Sequence, residues 1–140
     1  MQKSAHLTLE TVEGAGLRFG VLTGSGMRVT LDNKDGQQGP TPVETLLVAL
    51  GGCSGMDVMS LLRKKRQDVR HYEVLVTGEQ KEEHPRRFVR IEVLHRVHGR
   101  DLNPAAVEDA IRLSDTRYCV VHASLDPAIE ITSRFEIVSV

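Results

Sequence analysis

A chain of 140 residues is long enough for one compact domain with a real core and too short for two comfortable ones. With 40% apolar and 26% charged residues and a formal net charge of −1, its composition is globular and carries no global attraction for nucleic acid or an anionic membrane. Three Phe, two Tyr and no Trp offer no platform for stacking bases, which removes nucleic acid as a partner.

The chain opens on the polar run Met1-Gln-Lys-Ser-Ala-His6 with no apolar segment behind it, so no signal peptide is expected. Its longest apolar run is interrupted by Gly, Ser and Asp, which argues against a membrane span. The expectation is a cytoplasmic protein. Structural disulfides are rare there, and cysteines more often serve catalysis or bind metal.

Residues 3–12 alternate in part and predict a strand. Glycines at 14, 16, 20, 24 and 26 punctuate two more, near 17–22 and 27–32. After a loop over 33–40, Thr41 as N-cap, Pro42 at the first helical position and Glu44 form a capping box, predicting a helix to about residue 66. The basic run Arg63-Lys-Lys-Arg66 suits the negative end of that helix dipole. From Val43 to Leu62 the helix is apolar nearly all round, so it should be buried on most sides, and in so small a chain full burial calls for a second copy. Gly51, Gly52 and Gly55 each cost up to about 1 kcal/mol of helix propensity, which implies a close approach of another element or a kink.

His71–Gln80 and Arg87–His98 read as the two arms of a hairpin. Asn103 caps a helix with Pro104 at its first position and an apolar stripe of Ala106, Val107, Ala110, Ile111 and Leu113. A helix break at 114–118, a short helix near Cys119 and a strand from Ala128 complete the chain. The order predicts a single α+β domain over residues 1–140.

Cys53 and Cys119 are the only thiols. Cys53 could be a small buried hydrophobe. Cys119-x-x-His122 could be half of a metal site with Cys53 as third ligand, but structural zinc wants four ligands and no second close pair exists. No metal or other cofactor is therefore expected. His95 and His98, three apart on a strand, face opposite sides and suggest no role. Met56 and Met59 suit core or subunit contacts. Asp57 stands one helical turn after Cys53, and a carboxylate so placed disfavours a thiolate.

Taken together, Gly39-Pro-Thr-Pro-Val-Glu-Thr-Leu-Leu47, Gly51-Gly-Cys-Ser-Gly-Met-Asp-Val58 and Tyr118-Cys-Val-Val121 resemble the OsmC/Ohr family of osmotically inducible and organic-hydroperoxide-resistance proteins, over about residues 36–140. The resemblance implies an intertwined homodimer with two central helices wrapped by sheet. It also implies a cysteine peroxidase, with Cys53 the peroxidatic and Cys119 the resolving residue, recycled by a dithiol reductant. Cys119 near a helix N-terminus is where backbone N–H groups would favour a thiolate.

Three positions depart from that family's pattern. A carboxylate is implied ten residues before the first cysteine, where this chain has Val43; Glu44, nine before, points to the opposite side of the helix and serves the cap. An arginine is implied on an early strand, where Leu31 stands nearest the expected spacing; Arg18 and Arg28 are the candidates, Arg28 the better. Asp57 is the third. Two functions fit: a thiol-dependent reductase of organic hydroperoxides, or a non-catalytic dimer that binds a small hydrophobic or thiol-reactive ligand.

Overall fold

The glycine-punctuated strands form an antiparallel meander in the computed structural model, which describes all 140 residues. Strands β1 (Ala5–Leu9), β2 (Phe19–Thr23) and β3 (Arg28–Leu31) lie in chain order, with Leu7 opposite Val21 and Val21 opposite Val29. Gly26, at φ +90°, makes the turn into β3 in a conformation that L side chains resist. These strands belong to the first of two compact units, Met1–Leu46; the second is Leu47–Val140.

Helix α1 (Pro42–Lys64) starts where the capping box predicts. The Thr41 hydroxyl accepts the Glu44 N–H at 3.2 Å and the Glu44 carboxylate accepts the Thr41 N–H at 3.0 Å. Of these two bonds, the one from the Thr41 N–H is the larger cause that holds the Glu44 carboxyl below its ordinary value, with the Thr41 hydroxyl adding to it. Thr41→Ala removes one of them and should lower stability by about 1 kcal/mol, read as a lower urea midpoint with an unchanged slope.

In the second unit, β4 (Asp68–Gln80) and β5 (Phe88–Arg100) make the expected antiparallel hairpin. The final strand β6 (Glu130–Ser139) pairs with β5 in parallel, from Arg90 opposite Glu130 to Gly99 opposite Ser139. A helical crossover between β5 and β6 allows that direction, where a tight turn would not. The crossover starts with α2 (Pro104–Leu113), whose N-cap Asn103 accepts the Ala105 N–H at 3.0 Å as the sequence predicts.

The core lies where α1 and α2 meet the sheet: Val58 and Leu62, Val97, and Val107, Ala110 and Ile111, with Tyr72, Phe135 and Ile137 packed around them. Two helical glycines have their explanation here. A Cβ at Gly51 would stand 2.8 Å from a Val76 methyl and one at Gly55 3.1 Å from a Val74 methyl, so both let α1 close on β4. Gly52 meets nothing within 4 Å.

The predicted burial of α1 holds for one face only within a single chain. Leu50, Ser54, Val58 and Leu62 are buried, whereas Val48 is 65% and Met56 77% exposed. Length and composition alone would let α1 cross a membrane, but its buried face packs on this core and carries the polar Ser54.

Candidate functional site

Cys53 and Asp57, one turn apart, lie on one flank of α1. The partner segment is the end of α2, and it does not break as the sequence suggests. The helix widens into a π turn over Ser114–Tyr118, closed by the Cys119 N–H to the Ser114 carbonyl at 2.9 Å. The widened turn carries both Ser114 and Cys119 to α1. The sulfurs of Cys53 and Cys119 and a carboxylate oxygen of Asp57 all lie within 4.8 Å of one another. Both thiols are free, Cys53 half-buried and Cys119 buried.

Cys119 caps the short helix α3 (Val120–Ser124), its sulfur accepting the His122 N–H at 3.4 Å. That bond favours a thiolate, as the sequence suggests, but it loses. Burial pushes the Cys119 thiol up to about 11, and hydrogen bonding to Cys53 and the negative charge of Asp57 act the same way. The backbone N–H acts on Cys119 in the direction the sequence suggests, but a single one from a five-residue helix does not repay desolvation of the sulfur.

Behind the thiols runs a buried polar chain that the sequence reading missed. The hydroxyl of Tyr72 lies 2.6 Å from His95 Nδ1, His95 Nε2 is 3.4 Å from Ser54 Oγ, and Ser54 Oγ is 3.5 Å from Ser114 Oγ. Ser114 donates to Asp57 Oδ2 at 3.1 Å. His95, Ser54 and Ser114 are buried. Burial raises the Tyr72 phenol above its usual value, so it stays protonated. Burial also lowers the His95 imidazole to about 4, leaving it neutral, with one ring nitrogen donating and the other accepting. Ser114 is the donor toward both Ser54 and Asp57, and its single proton serves one of them at a time.

A signal for His95 did exist. Ile91, Val93 and Val97 set an inward parity on β5, and His95 shares it.

Of the metal ligands considered from sequence, His122 does not join the thiols: its Nδ1 lies 3.6 Å from Asp115 Oδ1. The third donor is Asp57, and two sulfurs with one carboxylate fall a ligand short of a closed zinc site. A second trio, His71, Glu73 and His98, lies on the sheet, where Glu73 also pairs with Arg96. Of the candidate arginines, Arg18 is engaged by Glu10 at 2.9 Å and Arg28 is exposed on β3. Lys64 lines a small cavity of about 160 Å³ with Asp57, Ser60, Leu61 and Tyr118, so it shares the rim of the site.

On another flank of α1, away from the thiols, an apolar groove of about 630 Å³ is lined by Leu47, Val48, Met56, Met59, Val74 and Val76, with Tyr72 at its edge.

The OsmC-like protein family model matches residues 33–134. Protein YhfA of Escherichia coli K12 is 44% identical over 124 residues, which cover 89% of this chain and 92% of that protein. A hypothetical protein from Aquifex aeolicus VF5 has a crystal structure that superposes with a TM-score of 0.86 at 31% identity, covering 100% of this chain and 98% of that one. The organic hydroperoxide resistance protein OhrB of Bacillus subtilis shares the fold at a TM-score of 0.62 and 12% identity, covering 97% and 98% of the two chains. With α1, the β4–β5 hairpin and the thiol segments all inside the matched region, this chain belongs to the OsmC-like protein family.

Proposed function

We propose that this protein is a cytoplasmic, homodimeric, thiol-dependent reductase of organic hydroperoxides, with Cys53 as the peroxidatic and Cys119 as the resolving cysteine. One observation carries the reading: the chain's only two thiols, half its length apart in sequence, come within 4.8 Å in the fold. Their unequal settings favour the assignment of roles. Cys53 is the one solvent reaches, while buried Cys119 holds its proton and suits a thiol that acts second.

The Cys53 thiolate attacks the peroxide: an S–O bond forms, the O–O bond breaks, and the alcohol leaves. Cys119 then condenses with the sulfenic acid to a disulfide and water, and an external dithiol reductant restores both thiols. OhrB of Bacillus subtilis, named for hydroperoxide resistance, has the same fold.

Mass spectrometry of the reduced protein after one equivalent of cumene hydroperoxide should find a Cys53–Cys119 disulfide within seconds and the peroxide consumed in equal amount. Two intact thiols with the peroxide untouched would sink the reading.

The apolar groove on α1 favours a second reading, a dimer that holds a hydrophobic ligand without turnover, because neither cysteine lines it. A rise in melting temperature with apolar ligands, unaltered in Cys53→Ser, would support that reading over the first.

A further inference from the structure

We propose that Asp57 is the base that takes the Cys119 proton during disulfide formation, held for that task by the Ser114 hydroxyl. The proposal rests on the peroxidase reading above. Cys119 enters the resolving step as a neutral thiol, and a neutral thiol is a poor nucleophile. Burial of the sulfur is the largest cause of that state, and it persists when Cys53 is oxidised. Something must remove the proton as the sulfur attacks.

Three groups face that sulfur. Cys53 is the electrophile once oxidised, and the His122 backbone N–H can only donate. Asp57 is the proton acceptor among them. The other charged or titratable groups nearby are otherwise placed: the His122 imidazole lies toward Asp115, Lys64 and Tyr118 line the cavity beside Asp57, and His95 reaches it only through Ser54 and Ser114. Ser114 occupies Oδ2, while Oδ1 has no hydrogen-bond partner in the chain. The position that hinders a thiolate by charge thus gains a chemical use.

In the step, Cys119 Sγ attacks the sulfur of the Cys53 sulfenic acid. The S–S bond forms and the S–O bond breaks. The Cys119 proton passes to Asp57 and on to the departing hydroxide, which leaves as water, so the carboxylate is regenerated. The Cys119 sulfur is oxidised and the sulfenic sulfur reduced, with no further redox partner. Asp57 is a catalytic residue in this scheme; Ser114 is a positioning residue.

The test is quenched-flow measurement of sulfenic acid, trapped by dimedone, and of disulfide, after one equivalent of cumene hydroperoxide, across about pH 6 to 8.5. The wild-type rate of disulfide formation should be flat over that range. Asp57→Asn keeps the size and can still accept from Ser114 but cannot take a proton. It should form the sulfenic acid, resolve it about 100-fold more slowly at pH 7, and gain about tenfold in rate per pH unit as hydroxide takes over. Ser114→Ala should slow resolution less, with recovery in Ser114→Thr, which keeps the hydroxyl.

Wild-type resolution in Asp57→Asn would overturn the inference and leave the peroxidase reading standing. So would a wild-type rate that itself climbs tenfold per pH unit, a readout that needs no folded variant. A wild-type protein that never forms the sulfenic acid would overturn the peroxidase reading and this inference with it.

Discussion

Replacing His95 with phenylalanine is expected to cost about 3 kcal/mol at pH 7 and to remove most of the protein's sensitivity to mild acid. The cost at pH 7 comes from partners left behind. Tyr72 and Ser54 each lose their hydrogen-bond partner, Ser54 where no water reaches; a buried polar group so orphaned costs about 1–3 kcal/mol. The pH effect follows from burial. The folded His95 takes up a proton only near pH 4, the unfolded one near 6.5, so between those values the unfolded chain binds more protons and stability falls as pH falls. The full effect is about 3 kcal/mol, of which about 2 should be lost between pH 7 and 5. The lowered carboxyls of Glu44, Asp68, Asp109 and Glu136 lose their contribution only below their unfolded values of 4.5 and 3.8, outside that window. Urea titrations at pH 7, 6 and 5 should show the wild-type loss and a flat His95→Phe, so that the two proteins converge in acid. A wild-type protein equally stable at pH 7 and 5 would mean that His95 is not held neutral.

Much of this fold can be read from local signals, because they act within a few residues. Thr41, Pro42 and Glu44 set the start of α1, and Asn103 with Pro104 sets that of α2, through backbone N–H groups that need nearby acceptors. The site is different in kind. No spacing rule brings Cys119 to Cys53, since that meeting depends on the width of the turn over Ser114–Tyr118 and on how α2 lies against α1. The family resemblance suggested the pair; the residues alone left it open. Ser54 and Ser114 look like ordinary helix residues until both are seen buried against each other. His95 was legible in principle, but only by asking which parity of β5 faces inward, and comparing it with His98 answered another question. The parallel course of β6 could not be read, because direction belongs to the crossover and not to the strand.

Substituting Met56 with lysine is expected to abolish dimerisation while leaving the fold of each chain intact. A helix apolar nearly all round has in this chain only one buried face. Val48 and Met56 stand in the open, Gly52 has free space in front of it, and the apolar groove runs beside them. An exposed apolar strip of this kind marks an interaction surface. In the homodimer proposed above, the central helix of a second copy would cover this strip, because it brings the same small and apolar residues and a two-fold contact sets the strip against itself. Each copy would then place one new ammonium in the interface, where the two carboxylates of α1 are already engaged, Glu44 by the Thr41 N–H and Asp57 by Ser114. Burying an unpaired charge costs several kcal/mol, and symmetry doubles it, so affinity should fall by at least about 10³-fold. In the separate chain Met56 is 77% exposed, and a surface change there should alter stability by no more than about 0.5 kcal/mol. Sedimentation equilibrium should therefore find a dimer for the wild type and a monomer with unchanged far-ultraviolet circular dichroism for Met56→Lys. A variant that stays dimeric would place the subunit contact elsewhere and leave the groove on α1 open to a small apolar ligand.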